Sequence, residues 1–220
     1  MTQMNDTVKV GAPSGAAAYN VQGSTLHCLL GISVSRPEEK LTGTVLENLQ
    51  ECLKHLLCLI IDERSMLSSK VLAAAERNVR HSVYKGQNSG EIWGGVPVVL
   101  LFGDDYQLFP VIKEGAIQGY SKKKLNMPQT PTAKMTASQL LCQRGSYLFT
   151  NVMLETVFTL DKNYRVKNKE FRDLLGRLCT GEPTQQDAEI ISNLHICLYE
   201  SDIAFMDYLK NNIKTMWLYA

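Results

Sequence analysis

Leu56-Leu57-Cys58-Leu59-Ile60-Ile61 runs without a polar break and ends abruptly in Asp62-Glu63; Val98-Val99-Leu100-Leu101-Phe102 repeats the pattern and ends in Gly103-Asp104-Asp105-Tyr106-Gln107. A helix-like segment lies between them. A strand covered on both faces loses the polar alternation of a half-buried one, so the two runs predict buried parallel strands of an α/β sheet. Ligands of such sheets bind outside the carboxyl ends of the strands. The expectation is one rim carrying Asp62, Glu63, Asp104 and Gln107.

The chemistry open to that rim is phosphoryl transfer. An acidic residue at a strand end can hold Mg²⁺ through its waters, a neighbouring carboxylate can take a proton from attacking water, and an amide can orient that water. This suits a nucleotide triphosphatase. The competing reading is that Asp62 and Glu63 cap a helix starting near Ser65, because anions are favourable at a helix N-terminus. The second acidic strand end, with Gln107 a short turn beyond it, favours chemistry.

Two stretches carry a family resemblance. Ile60-Ile61-Asp62-Glu63-Arg64-Ser65-Met66 resembles the second motif of the Pif (petite integration frequency) family of 5′-to-3′ DNA helicases, in superfamily 1B. Gly94-Gly95-Val96-Pro97 and the run from Val98 to Val111 resemble the strand and third motif that follow it. Two positions depart from the pattern. Arg64 stands where the family usually has an aliphatic residue, and Phe109 where it has the first of two prolines, which leaves the turn after Gln107 less constrained in φ.

The 220 residues suffice for one domain with a real core and a subdomain. Hydrophobic residues at 45% and charged ones at 20% are ordinary for a soluble globular protein. With 23 basic and 22 acidic side chains the net charge is +1, so any nucleic-acid contact must come from a local patch. The cysteines at 28, 52, 58, 142, 179 and 197 form no Cys-x-x-Cys pair and sit mostly among apolar neighbours; they read as buried free thiols in a reducing compartment rather than disulfides or zinc ligands. No secretory signal, transit peptide or apolar run of membrane-spanning length is present, so an intracellular protein without a membrane partner is expected.

In chain order, residues 1–6 read as a polar, disordered N-terminus. Thr7-Val8-Lys9-Val10 is a short strand leading to Gly11-Ala12-Pro13-Ser14-Gly15, and Ala16-Ala17-Ala18-Tyr19 favours a helix. The turn presents backbone N–H groups at a helix N-terminus, a natural phosphate site. Thr42-Gly43-Thr44 opens a core-facing helix with Val45, Leu46, Leu49, Cys52, Leu53 and Leu56 at helical spacing. Ser68 to Val83 reads as an amphipathic helix with Arg77, Arg80 and His81 on its polar side, and Lys85 to Gly95 as a loop. Trp93 in that loop either stacks on a base or closes over the core edge.

Lys122-Lys123-Lys124 reads as a solvated loop, with a DNA-backbone role competing. Met127 to Pro131 is a linker and Ala133 to Tyr147 a helix. Leu154-Glu155-Thr156-Val157-Phe158-Thr159-Leu160 reads as a strand running into Asp161-Lys162-Asn163-Tyr164-Arg165, and a helix over Lys169 to Leu178 stops at Gly181-Glu182-Pro183. Thr184 to Asn212 suggests two helices, and the apolar end from Lys214 to Ala220 could start a strand.

The resemblance extends to these parts. The stretch from Pro13 to His27 is similar to the first DNA-contacting motif of the same helicases, with Ser14 where the family has Thr; this implies that Pro13, Ser14, Gly15 and His27 grip the backbone of single-stranded DNA. The competing roles are a helix N-cap for Ser14 and a helix-surface position for His27. Arg165, before the Phe171-containing helix, resembles the arginine that approaches the γ-phosphate, where a planar cation stabilises developing charge. A structural salt bridge is its competing role.

The implied fold is an α/β, incomplete RecA-like P-loop NTPase domain over residues 7–165 with a parallel sheet, followed by a mainly helical segment over 166–220. The implied activity is Mg²⁺-ATP hydrolysis coupled to unwinding in DNA repair, recombination or telomere maintenance, with Asp62 on Mg²⁺ through water, Glu63 and Gln107 acting on water, and Asp62, Glu63, Gln107 and Arg165 around the nucleotide. No glycine of the chain is followed by lysine, so the Gly-Lys-Ser/Thr phosphate loop of this class is not among these residues. The sequence therefore reads as the middle of a helicase, cut at both ends and hydrolysing ATP negligibly alone. In the family fold the first strand would lie beside the one ending at Gly103, leaving an apolar edge open to another chain. Two non-catalytic readings compete: a module that binds single-stranded DNA without nucleotide, and one that completes its sheet with a strand from another chain. For a eukaryotic protein the resemblance implies nucleus or mitochondrion.

Overall fold

The computed structural model describes residues 4–83, 90–108, 110 and 135–193. The lysine run, the Met127-to-Pro131 linker, Phe109, Cys197, the second C-terminal helix and the apolar end all lie outside the described residues. The chain divides into two compact units, Met1–Phe158 and Thr159–Ala220.

In the first unit, β1 (Val8–Ala12), β2 (Ser24–Thr25), β3 (Cys58–Ile61) and β4 (Val98–Leu101) form a parallel sheet in the order β2-β1-β3-β4. Val8, Cys58 and Val98 are in register, as are Gly11, Ile61 and Leu101. The sheet is that of an α/β fold, as the apolar runs predict. Leu59 and Ile61 are fully buried on one face. There they meet α4 (Gly43–Leu53), α5 (Ser69–Val83) and α6 (Ala137–Leu148) in a core that includes Leu49, Leu53, Leu72, Val79, Leu141 and Leu148. Each fully buried aliphatic side chain contributes about 1.5–3 kcal/mol.

The other face corrects an expectation. Two-sided cover is the premise of the sequence reading, yet Val98 and Leu100 are 42% and 40% exposed, and Val8 and Phe102 are exposed beside them. Among the described residues that face is covered at the β1 end, where α2 (Gly15–Asn20) sets Ala17 and Ala18 with Ala12. Apolar composition records what a strand needs to bury and carries no record of what covers it.

Other boundaries differ in instructive ways. Met4–Thr7 form a helical turn, α1, where disorder through Asp6 is expected. The helix read from Ala133 begins at Ala137, because a capping box sets its start: Thr136 Oγ1 accepts from Gln139 N at 3.3 Å and Thr136 N donates to Gln139 Oε1 at 2.8 Å. Leu154 to Leu160 form no strand. α6 runs into a π-type turn, Phe149–Met153, and the apolar residues after it stay exposed, Phe158 at 86% and Leu160 at 87%. Their β propensity acts only when a neighbouring strand supplies the ladder. Of the cysteines, Cys142 is buried but Cys28, Cys52 and Cys179 are exposed; all of these, with Cys58, are free thiols.

α5 is the largest departure. Its polar residues Glu76, Arg77 and Asn78 are buried. Glu76 Oε1 accepts from Arg80 Nε at 3.1 Å, from Arg144 of α6 at 3.3 Å and from the Trp93 backbone N–H at 3.4 Å. A carboxylate taken from water must be paired, and this one ties three elements together. Trp93 itself is buried against the core, which realises the structural reading of that residue rather than base stacking.

In the second unit α7 (Lys169–Thr180) starts where Asn168 Oδ1 accepts from Phe171 N at 2.9 Å and ends at Gly181 in the left-handed region, the predicted stop. α8 (Gln185–Asn193) follows. Arg177 joins them by paired bonds of 2.7 and 2.6 Å to Asp187; that guanidinium, with Thr184, holds the Asp187 carboxyl well below the usual carboxylate range.

α5 and α6 touch backbone to backbone at Gly145, where a Cβ would come within 1.8 Å of the Ser69 carbonyl oxygen. Gly145→Ala is expected to lower stability by roughly 1–3 kcal/mol through overpacking. Gly176→Ala in α7, where a Cβ meets nothing within 4 Å, is expected to be neutral or to stabilise by up to ~1 kcal/mol. Thermal denaturation of the two variants checks both signs.

Candidate functional site at the carboxyl rim of the sheet

Every strand of the sheet points the same way, so all four carboxyl ends share one rim. β2 leads at Thr25 into α3 (Leu26–Leu29), which carries His27. β1 leads into Pro13-Ser14-Gly15, β3 into Asp62-Glu63, and β4 through Phe102 into Gly103–Gln107. In the order of the strands the rim therefore reads His27, then Pro13 to Gly15, then Asp62 and Glu63, then Gly103 to Gln107. With neighbouring strands about 4.8 Å apart it is roughly 15 Å long. The two acidic strand ends foreseen from the sequence are neighbours.

The β3–β4 junction is the tightest part. Phe102 N donates to Ile61 O and Arg64 N donates to Phe102 O, each at 2.8 Å, so the two chains remain paired past the strands. A Cβ on Gly103 would lie 2.7 Å from the Arg64 backbone nitrogen and 2.6 Å from its Cγ. Only glycine permits that approach.

Glu63 sits between two pinned amides, since Asp62 N donates to Gly11 O at 2.9 Å on one side and Arg64 N to Phe102 O on the other. Its backbone is left-handed, φ 52° and ψ 48°. For a residue with a side chain this costs on the order of 1–3 kcal/mol, strain that concentrates where a side chain must be aimed. The helix-capping role that competes for this residue is not realised, because Glu63 makes no side-chain cap bond to the 3₁₀ turn at Arg64–Met66.

The turn after β4 has its own supports. Arg64 Nη2 contacts Asp105 Oδ2 at 2.8 Å, so the residue that departs from the resembled motif reaches the motif that follows it. Asp104 Oδ1 accepts from Tyr106 N at 2.9 Å, and the Asp104 carbonyl accepts from Gln107 N at 3.2 Å. Asp104 thus shapes the turn that carries Gln107, which is exposed. Neither the Arg64–Asp105 pair nor the Glu63 backbone is foreseen from sequence; the arginine itself was the available signal for the first.

At the other end of the rim, Ser14 Oγ accepts from Ala17 N at 3.2 Å and so caps α2. Its hydroxyl proton remains available as a donor. His27 is half-buried, and burial lowers its pKa below the ordinary histidine value; at neutral pH it presents an uncharged imidazole. Arg165 belongs to the second unit, where it is exposed and its backbone N–H donates to Asn163 Oδ1 at 3.0 Å.

Residues 1–189 match the family model of the PIF1-like helicase. The chain belongs to the PIF1-like helicase family. It is 33% identical over 192 residues to the ATP-dependent DNA helicase PIF1 of Emericella nidulans, covering 86% of this chain and 22% of that protein. With the ATP-dependent DNA helicase Pif1 of Campylobacter jejuni it shares 34% identity over 114 residues, 46% of this chain and 22% of that one. The sheet matches the RecA-like domain of Pif1 helicases. A Bacteroides Pif1 helicase in complex with ADP-AlF3 and single-stranded DNA superposes with a TM-score of 0.62 at 25% identity, over 97% of this chain and 48% of that one. Another structure, of Bacteroides Pif1 bound to single-stranded DNA, gives 0.61 at 26% identity, over 98% of this chain and 48% of that one. The chain thus spans less than half of each relative, and no helix among the described residues is long and apolar enough to cross a membrane.

Gly103→Ala in this PIF1-like chain is expected to push the Arg64 backbone away from β4 and break the Arg64 N–H bond to Phe102. Amide hydrogen exchange checks it: Arg64 should lose protection while Leu59, in the core of β3, keeps its own.

Proposed function

We propose that this chain carries the hydrolytic and DNA-gripping rim of an ATP-dependent, 5′-to-3′ DNA-unwinding motor. The observation that carries the proposal is the convergence of His27, Pro13, Ser14, Gly15, Asp62, Glu63 and the turn bearing Gln107 at the carboxyl ends of four adjacent parallel strands. The Asp62 carboxylate at the strand end is an oxygen donor suited to Mg²⁺, which takes one or two carboxylates and keeps several waters, and it leaves the neighbouring Glu63 for proton transfer. When bound, Mg²⁺ with ATP supplies charge neutralisation on the phosphates.

The residues divide the work by position. Asp62 would hold Mg²⁺ through its waters. Glu63, aimed by its left-handed backbone, would take the proton of the attacking water, and Gln107 would orient that water. Ser14, Gly15 and His27 would hold the backbone of single-stranded DNA through neutral donors, with Pro13 fixing the turn that presents them, in keeping with a net charge of +1. Arg165 would approach the γ-phosphate; that role rests on the family resemblance alone. Unwinding of this kind serves DNA repair, recombination and telomere maintenance, and in a eukaryote belongs in the nucleus or mitochondrion.

A second reading has its own observation. β4 ends the strand order, and its outward face is apolar and exposed among the described residues. A further parallel strand would pair along the outer backbone edge of β4, supplied by a partner chain or by another segment that carries a Gly-Lys-Ser/Thr loop.

One experiment addresses both readings. A strand followed by a Gly-Lys-Thr phosphate loop is fused ahead of Met1, and DNA-stimulated ATP hydrolysis and melting temperature are compared with the unfused chain. The fusion should melt higher and hydrolyse ATP, the unfused chain negligibly, and Glu63→Gln in the fusion should cost roughly 10²- to 10⁴-fold. Hydrolysis indifferent to Glu63→Gln would sink the motor reading, and an unchanged melting temperature the pairing at β4. Anisotropy of a labelled oligonucleotide should show about tenfold weaker binding by His27→Ala and up to about a hundredfold by the Ser14→Ala/His27→Ala double variant, the loss of one and of two hydrogen bonds.

A further inference from the structure

Arg77 reads from sequence as a surface residue of α5 and is buried in the fold. Its guanidinium spans the carbonyl oxygens of Pro37 at 3.0 Å, Glu38 at 2.9 Å and Glu39 at 2.6 Å. Its Nε donates to Asn78 Oδ1 at 3.1 Å, and Asn78 Nδ2 donates to the Leu30 carbonyl at 2.8 Å. Leu30 is the C-cap of α3, and residues 36–39 form a turn closed by Glu39 N donating to Arg36 O at 3.0 Å. Two consecutive residues of α5 thus pin both the end of the His27 helix and the turn that follows it.

The cost of this arrangement argues that it serves placement. Burial lowers the Arg77 pKa below the ordinary arginine value, with Glu38 and Glu76 opposing the shift and Arg80 adding to it. A buried cation satisfied mainly by carbonyls is a weak source of stability and a strong source of geometry, because a planar fork fixes the directions of its acceptors. α3 is held in the core by the buried Leu26 and Leu30, and the polar anchor adds direction to that apolar hold. Four residues make a single helical turn, too short to hold its own conformation. α5, by contrast, is 15 residues long and begins just after the acidic turn; Arg77 lies about 12 Å along it from Ser69.

We propose that Arg77 and Asn78 are positioning residues for single-stranded DNA: they lock α3, and with it His27, to the helix that leaves the acidic rim, so that both parts of the rim keep one geometry. The inference rests on the reading of Pro13, Ser14, Gly15 and His27 as DNA contacts. It names residues outside the motifs that suggested that reading.

The test is a double-mutant cycle on the binding of a fluorescein-labelled single-stranded oligonucleotide by the 220-residue chain. Arg77→Lys keeps the charge but presents one ammonium where the guanidinium spans three carbonyls. Arg77→Lys and His27→Ala should each weaken binding about tenfold, and the double variant no more than the worse single one, because both remove the same contact. Additive losses, or Arg77→Lys binding as tightly as the parent, would overturn the positioning role and leave the DNA reading standing. Parent binding that is indifferent to His27→Ala would remove the DNA reading and this inference together. If Arg77→Lys does not fold, Pro37→Gly decides the matter, since it loosens the turn that Arg77 holds while leaving every residue of α5 unchanged: a non-additive loss with His27→Ala supports the inference, and unchanged binding or an additive loss overturns it.

Discussion

Two backbones pressed together at Gly103 and Arg64 are the constraint on which the rim depends. Parallel pairing of β3 and β4 brings two strand ends side by side, but pairing alone would let the chains diverge beyond Ile61 and Leu101. The missing side chain at 103 keeps them in contact, and the Arg64-to-Phe102 bond closes the gap. Glu63 is caught between them in a left-handed conformation. The strain of about 1–3 kcal/mol is comparable to the net worth of its two flanking backbone bonds at about 0.5–1.5 kcal/mol each. Those bonds only break even, and the surplus must come from the buried apolar side chains behind them, Leu59 and Ile61 first. The carboxylate is thus held by the core of the sheet.

How much of this was legible in sequence depends on the kind of information a residue carries. The two apolar runs with acidic tips could be read because uninterrupted Leu, Ile and Val over four to six positions have few uses other than an inner strand, and a parallel sheet puts such tips on one rim. Gly181 and Asn168 marked the ends of α7 because capping is local chemistry. The strand expected over Leu154 to Leu160 failed because β structure needs a partner that no local pattern announces. Arg77 was assigned to the polar side of its helix, and Glu76 went unremarked, because the burial of a charged residue depends on partners that lie far along the chain, at the turn at 37–39 for the first and at Trp93 and Arg144 for the second. The left-handed Glu63 was equally hidden: its conformation is imposed by neighbours on two other strands.

α5 gains its importance from those two buried charges. Glu76 and Arg77 are adjacent in sequence, of opposite charge and both buried, yet they are tied to different surroundings. Glu76 holds α6 and the turn at Trp93, while Arg77 holds the turn after α3. Buried charges cost desolvation that an apolar pair would avoid, so their contribution is to the uniqueness of the arrangement more than to its stability. An amphipathic helix against a sheet could slide or rotate by a fraction of a turn at small cost. One pinned to two neighbours through consecutive residues cannot do so without exposing an unpaired buried charge. The acidic turn that leads into α5 is kept in register by the same means.

Where the described sheet is least covered, the requirements of folding and of chemistry coincide. Val8, Val98, Leu100 and Phe102 expose apolar side chains on the face opposite the helical core, and β4 ends the strand order. Parallel sheets bury both faces, and an apolar edge invites a further strand. A strand that continues the sheet in parallel has its direction fixed by β4, so its carboxyl end must arrive beside Gly103 and Asp104. Whatever loop follows it is then delivered to the rim that already carries Asp62 and Glu63. A strand added at the edge of β4 would therefore end beside these carboxylates, whereas the exposed side chains that reach across to Val8 call for a layer over the face itself.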